Sequence, residues 1–549
     1  MSRPCLLWLA GSCALFFACG PPDESIEAGP PSVVTAQLGA EESIGLEHRK
    51  RCQPPVKVAD LTPTPGHTNV GERAEVDGAV IIGTIDLSGN NSAVWKLEEL
   101  SRNHNAPPEW RATLLLGGLP DNPRFFSVVG RKLLFVVDDG VHGSELWVSD
   151  GTPAGTRMVK DINPLGDAFG DAFHGLANPP VVVGRTLYFA ADDGTHGEEL
   201  WRSDGTEAGT RMVKDIARGP GSSSPGPFLV DGRRLLFAAD DGVHGREPWK
   251  SDGTQNDTRL LKDINRGSAS SSPDSWIRMD DQRIFFVADD GLHGRELWKT
   301  DGTQDDTRLV EDIRPGTADS SIAELTVAER TLFFTADDGT HGNELWASKG
   351  SAGDTRLVKD IRPGLEGSRP RELTALDEDV FLFADDGTHG LEPWRSNGST
   401  GGTRLLKDTG EAPPGFEPSQ LVVAGEKIFF YAHTPDTGQE LWVTNGTTAG
   451  TRLVKDIQPG PANGISGDPA PAFPVGGGVF FRAFDGTHGA EPWWTDGTEA
   501  GTKTADINPG AASSSPDPII LTRDWLYFSA DDGTGSEVWA LPVACFPKD

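Results

Sequence analysis

The side chains best equipped for chemistry stand in two short runs. Asp192-Asp193-Gly194-Thr195-His196-Gly197-Glu198-Glu199 places carboxylates around an imidazole, and Ser203-Asp204-Gly205-Thr206 adds hydroxyls and another acid. Such a set could hold a hard cation through oxygen or do acid–base work through His and Asp. Both runs, however, return with small edits along most of the chain. A catalytic residue is needed once, whereas a residue that folds a repeated unit is needed in every copy. The expected roles are therefore structural. Asp caps tight hairpins through nearby backbone, the histidines are turn residues, and Glu199, on the same strand face as Trp201, accepts hydrogen bonds from a neighbouring unit.

Sharper readings meet specific obstacles. The acidic turn does not match the twelve-residue calcium loop, so no cofactor is expected, calcium being the one ion the oxygen donors would suit. The histidines are too dispersed along the chain to share one zinc. The Ser-Asp-Gly-Thr turn differs from the Asp-box of glycan-active enzymes, in which those residues are not adjacent. A sialidase-like site also needs a Tyr nucleophile among arginines, and Tyr188, Tyr431 and Tyr527 all sit where other units carry core aromatics. No nucleophile elbow, phosphate loop or zinc spacing is present. No catalytic residue and no metal ligand is assigned.

The elements that carry these runs can be phased on Trp. The E-x-W position recurs at Trp147, Trp201, Trp249, Trp298, Trp346, Trp394, Trp442, Trp493 and Trp539, mostly 48 or 49 residues apart. Trp95 marks a degenerate earlier unit over about 70–120, making ten. One unit reads as four strands: 323–327, 331–336, 343–348 and 355–361. The second is a continuous apolar run, expected to be covered on both faces. The third and fourth alternate more, as strands nearer an edge do. Pro248, Pro393 and Pro492 precede Trp in three units; because Pro cannot donate, that position must open the third strand or face a gap in pairing. Four-stranded units of this length predict an all-β fold, a β-propeller with Trp and Phe in the seams.

The ends suggest how the ring closes. The last unit stops after its third strand, and Pro55-Val56-Lys57-Val58-Ala59-Asp60-Leu61 resembles the fourth strand of other units. It is expected to complete the last blade. Of five cysteines, Cys5 and Cys13 lie in an amino-terminal apolar run, Cys19 closes it, and Cys52 and Cys545 flank the two strands to be joined, a pair that an exported protein can keep oxidised.

Residues 1–18 read as a signal peptide, with Arg3 before the apolar run. Leu15-Phe16-Phe17-Ala18-Cys19 resembles a bacterial lipobox, which makes Cys19 the expected lipidation site and a membrane the expected partner. Residues 19–54, rich in Pro, Gly and Glu, form a flexible linker with a reach of about 30 Å. The propeller spans 55–545, and 546–549 is a tail. The formal charge of −33 argues against nucleic acid, which demands a basic stripe.

The run Glu199-Leu200-Trp201-Arg202-Ser203-Asp204-Gly205-Thr206, with Val213-Lys214-Asp215-Ile216 after it, resembles the ELWxxDGT repeat family of bacterial, myxobacterial-type exported lipoproteins. The resemblance covers most of 124–541 and implies a surface or secreted repeat protein with no assigned reaction. Lys349 and Asn445 stand where other copies carry the turn Asp, so that Asp is replaceable. Departures from the unit mark the expected binding face: Asp167, Asp171 and His174 in one long connection, and His433 and Asp436 where DDGTHG is lost. The expected function is a lipid-anchored propeller at the outer membrane or cell surface that binds a glycan or surface protein, or serves structurally. The alternative is a hydrolase or lyase acting on extracellular polymers.

Overall fold

The second strand of most units, such as Thr186–Asp192 (TLYFAAD), is β-branched, aromatic or aliphatic through its middle and ends on Asp-Asp-Gly, a combination that extends the chain and then turns it. It pairs antiparallel with Val181–Val183 on one side and with Glu198–Ser203 on the other, and Arg211–Lys214 completes the sheet. The computed structural model describes residues 52–548 except 60, 62–67, 87–90, 101–107, 171–177, 411–416 and 466–469. Within them are ten four-stranded antiparallel sheets, the blades of a β-propeller. Numbered from the amino-terminal side, blade 1 spans 68–119, blade 2 spans 124–160, blade 3 spans 181–214, and the others follow to blade 10, which begins at Asp517. Cys19, the signal segment, Asp171 and His174 lie outside the described residues.

Blades are joined by apolar seams. Leu134, Val136, Leu146 and Val148 of blade 2 pack against Leu187, Phe189, Ala191 and Trp201 of blade 3. Each fully buried Phe or Leu in such a seam contributes about 1.5–3 kcal/mol relative to exposure. At the last seam Val80, Ile82 and Leu97 of blade 1 meet Trp525, Tyr527 and Val538 of blade 10, so the ring closes. Blade 10 takes its outer strand from the other end of the chain: Val56–Ala59 pairs antiparallel with Ser536–Pro542, and Cys52 is disulfide-bonded to Cys545.

Two expectations need correction, and one given as an alternative is decided. The third strands do not alternate; Glu198–Ser203 is nearly as buried as the second strand because the fourth strand and two neighbouring blades cover it, and alternation is confined to fourth strands such as Arg211–Lys214. Of the two outcomes expected for Pro248, Pro393 and Pro492, the structure takes the second: they do not open their strands but face a gap in pairing. Pro248 lies inside Arg246–Ser251, paired with Ala238, and its carbonyl accepts from Leu261 N at 2.8 Å. Its missing donor therefore faces the fourth strand, which shrinks to two residues in all three of these blades. The donors to Glu199 belong to the connection leaving its own blade, not to a neighbouring blade.

Because strands alternate in direction, the turns between second and third strands and the connections between blades share one face, here the upper face. The Ser-Asp-Gly-Thr turns occupy the lower face. Val56 pairs with Ala540 and Ala59 with Val538, so the amino-terminal strand enters the ring from the lower face.

The Cys52–Cys545 bond closes a loop of 493 residues, and its loss in Cys52→Ser is expected to cost about 6 kcal/mol in the loop-entropy limit. Denaturant unfolding of wild type and variant under non-reducing conditions measures it, and reductant should abolish the difference.

Candidate functional site

The upper face is built from two repeated devices. In the first, Asp193 Oδ1 accepts from the amides of Thr195 and His196, both at 2.9 Å, and Oδ2 meets His196 Nδ1 at 2.8 Å. Gly194 has φ +75°, a conformation that the hairpin needs and a side chain would resist. Desolvation pushes the Asp193 carboxyl up, but the bonds from His196 outweigh it and hold it below the usual range. The same bond raises His196 above its ordinary value. The pairing repeats in the turns of His142, His244, His293, His341, His389 and His488.

In the second device a buried carboxylate grips the chain as it leaves the blade. Glu199 accepts from Ile216 N at 2.9 Å, Ala217 N at 3.0 Å and Ser223 Oγ at 2.7 Å. Glu247, Glu344 and Glu491 do the same with Ser271, Ser368 and Ser514. Burial raises the carboxyls of Glu199, Glu247 and Glu344; those of Glu145, Glu296 and Glu392 reach about 7, and that of Glu440 about 8.

The lower face is equally committed. Ser203 Oγ and Thr210 Oγ1 lie 2.7 Å apart, and Asp204 Oδ1 accepts from Thr206 N and Oγ1. Asn445 accepts from Thr447 through Oδ1 alone, which explains why Asn can stand where most copies have Asp. Tyr431 is buried and its hydroxyl donates to Ala470 O at 3.3 Å. Among the described residues no group of three or more His, Cys, Asp or Glu is arranged to hold a metal ion.

The expected binding-face residues fall in separate places. Asp167 Oδ1 accepts from Ser144 N at 2.7 Å. That station recurs, filled by Ser222 for Glu198, Ser270 for Arg246, Asp319 for Arg295 and Asn463 for Gln439, so Asp167 belongs to the repeat. His433 ends a second strand of blade 8 opposite Gln439, half-buried, and burial lowers its pKa. Asp436 is exposed in the turn that follows. The structure does not bring Asp167 of the blade 2 connection to the blade 8 pair.

Sequence reasoning missed the inner wall. Several innermost strands carry a bulge with a left-handed residue, among them Glu324 (φ +57°) and Glu372 (φ +55°). The Glu324 carboxylate accepts from Leu373 N at 3.2 Å and that of Glu372 from Leu421 N at 3.1 Å, each in the next blade. Arg482 also escaped notice, although it interrupts an otherwise apolar or small position of the second strand, the one signal that could have exposed it.

No family model matches the chain, and no curated protein does. Among solved structures, a puromycin hydrolase is 15% identical with a TM-score of 0.32, covering 66% of this chain and 58% of its own. A puromycin-hydrolysing peptidase of Mycobacterium tuberculosis is 12% identical at 0.30, over 70% and 60%. The β-propeller domain of the Trilobed protease from Pyrococcus furiosus is 12% identical at 0.28, over 63% and 100%. This chain thus spans about three fifths of those two whole peptidases, and its own assignment as a propeller rests on the strand ladders above.

The two upper-face devices set a pH dependence. A Glu raised from 4.5 to about 7 takes up a proton on folding, so its contribution is fully present below about pH 4.5 and is lost as pH rises through 7. The raised histidines contribute below 6.5 and lose that contribution as pH passes their folded value. The lowered Asp partners act oppositely, losing stability as pH falls below 3.8. Urea midpoints should therefore peak near pH 5 and decline toward pH 9, with a shallower decline in Glu296→Gln.

Proposed function

We propose that this chain is an exported propeller held to a membrane by a lipid on Cys19, and that its upper face binds a glycan or surface protein. The observation that carries this reading is the entry of the amino-terminal strand from the lower face, next to Cys52 and Cys545. A tether on that side leaves the upper face, with its turns and longer connections, directed away from the attachment. The charge of −33 suits a soluble body that avoids polyanionic backbones. The repeated acids and histidines of that face are consumed by folding, so recognition falls to residues that differ between blades, among them His433 and Asp436.

Mass spectrometry of the mature amino terminus is expected to find diacylglyceryl-modified Cys19, and Cys19→Ser is expected to release the protein to the soluble fraction. An unmodified Cys19 sinks the anchoring half of the reading. Screening the soluble body against immobilised glycans and outer-surface proteins tests the binding half.

A further inference from the structure

The bulge of the inner wall is a repeated device with its own ligand. In blades 5, 6, 7 and 8 the innermost strand sets two residues against one of the second strand, and the first of the two is left-handed: Ser275 (φ +55°), Glu324 (φ +57°), Glu372 (φ +55°) and Gln420 (φ +66°). Phe125 (φ +57°) does the same in blade 2. Such a bend turns successive amides to one side and makes a concavity for an anion. The ring fills it with a carboxylate from the preceding blade. Glu372 accepts from both amides of the blade 8 bulge, Gln420 N and Leu421 N, the latter at 3.1 Å. Glu324 accepts from Leu373 N of the blade 7 bulge at 3.2 Å, and Thr326 Oγ1 adds a second link to Leu373 O at 3.0 Å. Burial raises the Glu72 carboxyl of blade 1, and Arg73 and the amides of Phe126 and Phe125 in the blade 2 bulge oppose the rise.

The seam between blades 5 and 6 keeps the bulge and changes what faces it. By register Ser275 stands where Glu324 and Glu372 stand in the next two blades, and Ile277 stands where Thr326 does. The two innermost strands still lie side by side, with Ile277 and Leu325 packed into one apolar cluster. Among the described residues no side chain accepts from Glu324 N or Leu325 N, and Ser275 Oγ makes no hydrogen bond. Ser275 and Glu324 are both exposed. A Ser is shorter than a Glu by a methylene and a carboxyl group, so the room in front of these amides is that of a carboxylate. Nearby acids are committed elsewhere: Asp274 accepts from Arg295 at 2.6 Å, and the Glu324 carboxylate is turned to blade 7. A carboxylate one blade away does not bar another, since Glu372 fills its bulge while Glu324 acts on it.

We propose that Glu324 N, Leu325 N and Ser275 Oγ form a carboxylate subsite on the inner wall between blades 5 and 6 that takes the uronic acid of an acidic glycan. This rests on the glycan-binding reading above and narrows it to a chemical class. The three donors are neutral, so the subsite selects by shape and takes one carboxylate. A glycan whose single uronic acids are spaced by neutral sugars meets less repulsion from a body of charge −33 than an acidic protein segment does.

The test titrates the full protein calorimetrically with a glucuronoxylan oligosaccharide bearing one uronic acid and with its neutral methyl ester. The acid is expected to bind and the ester not. Ser275→Glu supplies from within the ring the carboxylate that the next two seams already have, and Glu holds the same left-handed conformation in blades 6 and 7. It is expected to weaken binding by about tenfold or more and to raise the urea midpoint; Ser275→Ala, which loses one hydroxyl donor, should weaken binding by about threefold and leave the midpoint unchanged. Equal binding of acid and ester, or undiminished binding of the acid by Ser275→Glu, overturns the subsite and leaves a glycan-binding role standing. Binding of neither oligosaccharide, with sodium acetate raising the thermal midpoint of wild type above that in equimolar sodium chloride but not that of Ser275→Glu, supports the subsite and overturns the glycan. No response to any of the three probes overturns both.

Discussion

The structure depends on a buried carboxylate that accepts two backbone amides. Glu199 is wholly buried, and an ionised carboxylate in that setting is costly unless every lone pair is engaged. It is engaged by the amides of Ile216 and Ala217 and the hydroxyl of Ser223, groups that belong to the segment between one blade and the next. The bond therefore fixes where the chain leaves a blade, and so where the following blade can begin. Removing the carboxylate would strand two buried N–H groups as well as a cavity, which is why the Glu before Leu-Trp survives in blades whose turns have drifted.

Further contacts stitch the outer wall. Lys160 lies 5.4 Å from the ring of Trp201 and donates to Thr210 O, both in the next blade. Lys214 does the same to Trp249 and Thr258. The long lysine stem covers the indole while the ammonium remains near water. At four seams among the described residues a blade thus presents a cation to a neighbour that presents an aromatic face, and the pairing works only between copies in the same register. Cations that would otherwise offset the acidic surface are in this way turned inward against the ring.

Much of this was legible in the chain. The Trp spacing marked the blades, Asp-Gly marked the hairpins, and the orphaned third strand near Trp539 pointed to its partner at Val56. What a repeat hides is direction, since a periodic pattern does not say whether a contact crosses to the next copy or returns to its own. The donors to Glu199 were misplaced for that reason. Asp167 looked like a departure because Ser222 and Ser270 fill the same station with a different residue type. The burial of the third strands was hidden because Glu and Ser read as solvent-facing, although both are internally satisfied. Arg482 stayed invisible because a single Arg among so many carries no pattern until register places it opposite Pro492, at a station that Ala190, Ala238 or Val287 fills in other blades.

The tenth blade has a temporal meaning. Its outer strand, Val56–Ala59, leaves the ribosome before any other blade is made, and the strand it joins, Ser536–Pro542, only after the other nine. Blades 1 to 9 need only local hairpins and can form in order as the chain emerges, whereas the ring as a whole cannot exist until Ser536–Pro542 has been made. Val56–Ala59 waits unpaired while the blades between form, and closure then reports that all ten are present.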